Sequence, residues 1–160
     1  MLARPARVPT FNPMKPLPCD YRILVVDDEV PVLEVMADLL TGVGWTVDAQ
    51  KSPLEALSRI KRTRYDALVL DLYMPELPGL LVHAKIKFID RELSARTVFV
   101  SGHFASEELE RSLAGSPRFL PKPFRAEALI GMVGLALPEI PRSVIVRPAS
   151  SRPDGTSGRS

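Results

Sequence analysis

The strongest constraint in this chain is a repeated alternation. Short, wholly apolar runs of strand length end in an acid or a hydroxyl, and amphipathic segments of helical length separate them. Ile23 to Val26 runs into Asp27, Ala67 to Leu70 into Asp71, and Thr97 to Val100 into Ser101. A run that is apolar at every position suits a strand covered on both faces, as in a parallel sheet. Parallel strands need crossovers, and the intervening segments supply them. Residues 31–41 carry Val32, Val35, Met36, Leu39 and Leu40 at helical spacing, with Gly42 and Gly44 as a stop. Residues 53–62 begin with Pro53 and repeat Leu54, Leu57 and Ile60 along one face. The same patterning predicts helices over about 80–89, 105–114 and 125–137, and strands over about 45–49 and 118–120.

Strand and helix thus alternate five times between residues 21 and 138. Right-handed crossovers leave few topologies for such a chain. The simplest is an α/β three-layer sandwich, a flavodoxin-like (βα)5 doubly wound parallel sheet of order 2-1-3-4-5. Function in such sheets gathers beyond the carboxyl ends of the strands.

The flanks differ from this body. Residues 1–20 contain Pro5, Pro9, Pro13, Pro16 and Pro18 and are predicted to be an extended, disordered arm. Residues 139–160 are rich in Ser, Arg, Pro and Gly and are predicted to be a disordered tail. Each flank carries a net +2, and the whole chain carries +2, so the body is mildly acidic at −2. Basic tails around an acidic body are only weak support for nucleic-acid binding, since solvated tails look the same, and a nucleic-acid partner is not the expectation. Cys19 is the single cysteine, which excludes an internal disulfide and fits a cytoplasmic setting. No apolar run is long enough to span a membrane, and the N-terminus lacks the apolar core of a signal peptide.

The carboxyl ends of the predicted strands collect one kind of chemistry. Asp27, Asp28 and Glu29 end the first strand, Asp71 the third and Ser101 the fourth, and Lys122 follows the fifth. Carboxylates brought this close repel and resist ionisation unless a cation intervenes. An all-oxygen donor set suits a hard divalent ion, and Mg²⁺ is the expectation. With Lys122 opposite, the edge becomes a receptacle for a dianionic tetrahedral group, and phosphoryl transfer needs little else from a protein. Asp71 is then the candidate nucleophile.

The stretches ILVVDDE (23–29), LVLDLYMPELPGL (69–81), VFVSGH (98–103) and FLPKPF (119–124) strongly resemble the receiver domains of bacterial response regulators, of the stand-alone single-domain type. Motif order and spacing agree across about residues 21–138. The resemblance implies that Asp71 is the phosphoacceptor, that Asp28 and Asp71 bind Mg²⁺ directly, and that Asp27 acts on it indirectly. It assigns the third protein ligand to the backbone carbonyl of Tyr73. Ser101 and Lys122 would contact the phosphoryl group, and Ser101 with Phe119 would form the switch. The bond before Pro123 is usually cis in similar proteins. The implied donor is a histidine kinase or a phosphotransfer protein. Catalysis would be confined to the chain's own phosphorylation and dephosphorylation, with output through protein–protein contact. A phosphorelay intermediate, a phosphate sink and a receiver fragment of a larger sensor are the variants of this reading. A phosphatase of the haloacid dehalogenase type would need an acid two residues past the nucleophile, where Tyr73 stands. A receiver fold working without phosphorylation would not need the full acceptor set.

Two features depart from the ordinary. In the family, the positions of Tyr73 and His103 border the path of the hydrolytic water, so both are expected to tune dephosphorylation. The last helix is apolar nearly all round, which implies a covered surface. Ala128, Met132 and Leu135 are therefore the candidate interface, on a face shared with the fourth predicted helix (105–114) and the fifth strand. A partner or a second copy would dock there.

Overall fold

The computed structural model describes residues 21–102, 118–139 and 141–142. Five strands, β1 (Arg22–Val26), β2 (Thr46–Gln50), β3 (Ala67–Asp71), β4 (Thr97–Ser101) and β5 (Phe119–Pro121), form one parallel sheet. Its order is β2-β1-β3-β4-β5, the topology expected. Among the described residues there are five helices: α1 (Val30–Gly42), α2 (Pro53–Ile60), α3 (Gly79–Ile89), α4 (Arg91–Ala95) and α5 (Ala126–Ala136). The helix predicted over 105–114 lies outside the described residues, as do most of both flanks.

Alternate residues of each central strand serve opposite layers, as the twofold period of a strand requires. Ile23, Val25, Val69, Val98 and Val100 pack with Leu33, Met36 and Leu40 of α1 and Leu129 and Val133 of α5. Leu24, Val26, Leu68, Leu70 and Phe99 pack with Ala56, Leu57 and Ile60 of α2, Val82 and Ile86 of α3 and Leu93 of α4. The sheet is thus the middle of three layers. Trp45 is buried in the first of these cores. His83 packs edge-on against Phe99 in the other layer, with ring centroids 4.9 Å apart, and its Nε2 lies 2.9 Å from the Ser94 carbonyl.

Two features were not predicted. The five-residue α4 follows α3 almost directly, and Asp90 caps it by accepting from the Leu93 amide at 3.0 Å. The packed body also extends past residue 138, where the tail was expected to begin. Tyr21 donates its hydroxyl to the Pro138 carbonyl at 2.5 Å. The Arg142 amide donates to Asp66 Oδ1 at 2.6 Å, and its guanidinium donates to the Tyr65 carbonyl at 2.9 Å and Asp90 Oδ2 at 2.8 Å. Local composition does not register a buried arginine whose Nη1 donates to two acceptors distant in the chain. No helix among the described residues is long and apolar enough to cross a membrane.

Candidate functional site

The carboxyl edge of the sheet brings the predicted groups together. Parallel register sets Val26 beside Leu70 and Asp71 beside Val100, so Asp27, Asp28 and Asp71 emerge side by side. Each offers one carboxylate oxygen within 4.8 Å of the others. The Lys122 amide donates to the Ser101 carbonyl at 2.8 Å, which carries the β4–β5 pairing up to the site. The Lys122–Pro123 bond is cis.

Lys122 Nζ lies 2.6 Å from Asp27 Oδ2, 3.4 Å from Glu29 Oε1 and 3.7 Å from Asp71 Oδ1. The second Asp27 oxygen accepts from the Glu29 amide at 2.9 Å. Asp27, Asp71 and Ser101 are almost fully buried. Burial therefore raises the Asp27 carboxyl above its ordinary range, even though Lys122 and the Glu29 amide pull it down. Asp71 is pushed up to about 7, by burial first and by the Asp27 charge second, against the pull of Lys122 and a hydrogen bond from the Tyr73 backbone. Burial alone would lower the Lys122 ammonium, but the Asp27 hydrogen bond and the neighbouring carboxylates outweigh it and raise it.

The pocket is rich in acid, with Lys122 as its facing cation. Among the described residues Asp28 Oδ1, though buried, has no hydrogen-bond partner, and such an atom is costly unless something binds it. The three aspartates supply hard oxygen donors. The residues present therefore fit a hard divalent ion held by Asp27, Asp28 and Asp71.

The remaining predicted residues fall as follows. Tyr73 is half exposed in the loop after β3. Phe119, in β5, is partly buried and packs against the core that holds Leu70 and Phe99. His103 lies outside the described residues. Of the candidate interface residues, only Leu135 is well exposed. Ala128 and Met132 are partly buried and pack against the α1-side core. The helix is apolar all round partly because it buries more than one stripe.

Sequence reasoning missed one contributor to the site and two side-chain contacts near it. Gly79 opens α3 directly on the backbone of Asp71 and Leu72, and a Cβ there would sit 2.2 Å from the Asp71 carbonyl oxygen. The glycine in LPGL was its signal. Glu76 accepts from the Ser52 hydroxyl at 2.9 Å, tying the β3–α3 loop to the cap of α2. Glu29 reaches Lys122, which the run DDE shows only as a third acid.

Comparison with known proteins agrees with this geometry. The family model described as "Response regulator receiver domain" matches residues 23–134. Response regulator protein TodT of Pseudomonas putida is 32% identical over 121 residues, covering 75% of this chain and 52% of TodT. Response regulator MprA of Mycobacterium ulcerans is 39% identical over 109 residues, covering 68% of this chain and 47% of MprA. The chain therefore spans about half the length of the curated relatives it matches. Among solved structures, the receiver domain of NtrX from Brucella abortus aligns with a TM-score of 0.65 at 32% identity, covering 72% of this chain and 97% of that one. A CheY-like receiver domain protein from Methanospirillum hungatei shares the fold at a TM-score of 0.65 and 23% identity, covering 72% of this chain and 91% of that one. With the acid pocket and its facing lysine in place, the chain belongs to the response regulator receiver domain family.

Proposed function

We propose that this receiver is a phosphorylation switch that accepts a phosphoryl group on Asp71. The observation that supports the reading most directly is the convergence of Asp27, Asp28 and Asp71 on one pocket faced by Lys122. An Asp71 carboxylate oxygen attacks phosphorus in line, the bond to the donor breaks, and an acyl phosphate forms. With a phosphohistidine donor from a histidine kinase or phosphotransfer protein, the imidazole leaves and takes up a proton.

The pocket's own groups divide the work. Asp27, Asp28 and Asp71 would hold Mg²⁺, with Asp27 acting indirectly and the Tyr73 carbonyl as a further ligand. When bound, that ion supplies positive charge against the incoming phosphoryl oxygens. Lys122 adds a second positive charge from the opposite side, and the Ser101 hydroxyl donates to the phosphoryl group. Ser101 and Phe119 then carry the change to the β5–α5 side, a population shift biased by a local charge. Output runs through protein contact there, with Leu135 as its exposed apolar point. We place the protein in the cytoplasm, with the kinase that serves it.

The test is incubation with acetyl phosphate and Mg²⁺ followed by intact mass measurement. One added phosphate, absent in Asp71→Asn and absent when the metal is chelated, is the expected result. An unmodified mass, or a phosphate that survives in Asp71→Asn, overturns the reading.

A further inference from the structure

Glu29 is the N-cap residue of α1, yet its side chain makes no capping hydrogen bond. Short polar side chains dominate that position because they can bond the exposed amides of the first turn. Here the Glu29 backbone amide is used on Asp27 Oδ1 at 2.9 Å, and its carboxylate reaches Lys122 Nζ at 3.4 Å. Glu29 thus touches both members of the shortest ion pair in the pocket. It is not part of the aspartate cluster whose oxygens can share a metal.

We propose that Glu29 is a positioning residue that holds the Lys122 ammonium away from Asp71 until a phosphoryl group arrives. The inference rests on the phosphorylation reading above. Three carboxylates share this ammonium, at 2.6 Å for Asp27, 3.4 Å for Glu29 and 3.7 Å for Asp71. Asp27, Asp28 and Asp71 would together hold a divalent ion, whose charge would offset that of Asp27 and weaken the Asp27–Lys122 pair. Among the described residues the Glu29 carboxylate has no partner but Lys122, so it then sets where the ammonium rests. Pairing with phosphoryl oxygens on Asp71 requires Lys122 to leave that position. Glu29 therefore opposes phosphorylation by a modest amount, because its own side chain is 61% exposed and screened by water.

The test compares acetyl phosphate labelling at saturating Mg²⁺, read by intact mass, in the wild type, Glu29→Gln, Glu76→Gln and Lys122→Gln. Loss of one exposed, partly screened ion pair predicts labelling about two- to fivefold faster in Glu29→Gln, with the gain shrinking in high salt. Glu76→Gln removes the same charge from the same edge, but Glu76 is bonded to Ser52, so its rate should match the wild type. Combined with Lys122→Gln, the Glu29→Gln gain should vanish, which a general field effect would not do. Equal gains in both glutamine variants, an unchanged or slower Glu29→Gln, or a gain that persists without Lys122 overturns the proposal. If the wild type takes up no phosphate at all, the phosphorylation reading fails and this proposal falls with it. A labelled wild type with an indifferent Glu29→Gln sinks this proposal alone.

Discussion

Lys122 sits 2.6 Å from Asp27 and 3.7 Å from Asp71, so the ammonium rests closer to the acid of the first strand than to that of the third. The same aspartate is one of the three that can share a metal. Lys122 and a divalent ion therefore compete for one cluster of negative charge. Lys122→Met should bind Mg²⁺ more tightly at pH 8, on the order of tenfold from the removed repulsion. Calorimetric titration checks it, and weaker binding would refute the competition.

The raised Asp71 pKa carries a sign. A carboxyl lifted to about 7 prefers its proton in the folded state, so its contribution to stability is present at low pH and is lost as pH rises from about 4 through 7. Asp71→Asn should therefore stabilise the metal-free protein at pH 8, by on the order of 2 kcal/mol, and hardly at all at pH 4. Urea unfolding at the two values measures it. Added Mg²⁺ should shrink the difference by stabilising the wild type.

Gly79 is set by close approach and not by unusual dihedrals. Its missing Cβ leaves room for the Asp71 carbonyl, which an alanine would meet at 2.2 Å. Backbone on both sides of the clash cannot rotate away as a side chain would. Gly79→Ala should cost roughly 1–3 kcal/mol, the range for overpacking. It should also slow Asp71 labelling, because the residue that must move is the acceptor itself. A melting curve and the labelling assay together check this.

Arg142 closes the amino edge of the sheet. Burial works against the Asp90 carboxylate, but the Arg142 hydrogen bond and the Leu93 amide outweigh it and hold its pKa below the ordinary range. Stability from this pair is present above the ordinary carboxyl pKa and is lost as pH falls through the lowered value. Arg142→Ala should destabilise by about 2–4 kcal/mol at pH 7, because it strands a largely buried acid, and by less near pH 3. Equal losses at both values would argue against the ion pair as the cause.

Tyr73 stands two residues past Asp71 with its ring half exposed beside the pocket. On the proposed function, a bulky side chain there would restrict the approach of the water that hydrolyses an acyl phosphate. Tyr73→Asn should shorten the phosphorylated lifetime on the order of three- to tenfold, a barrier change of about 1 kcal/mol. Timed loss of the added mass after rapid desalting checks it. An unchanged or longer lifetime would remove Tyr73 from this role.

The sequence by itself determined the sheet and its reactive edge. Burial on both faces demands apolar runs such as ALVL, and an acid can follow such a run only where the strand leaves the core, so Asp27 and Asp71 marked one edge before any coordinates. Tertiary structure alone decided the rest. Lys122 prefers Asp27 at a sequence separation of 95 because distance in space, which periodicity does not encode, settles competition among three acids. Ala128 and Met132 pack against the first core and Arg142 finds Asp66 and Asp90, each through contacts distant in the chain, while Gly79 meets a carbonyl eight residues back. Local pattern records which face a residue prefers, whereas its partner is chosen by packing and electrostatics after the layers close.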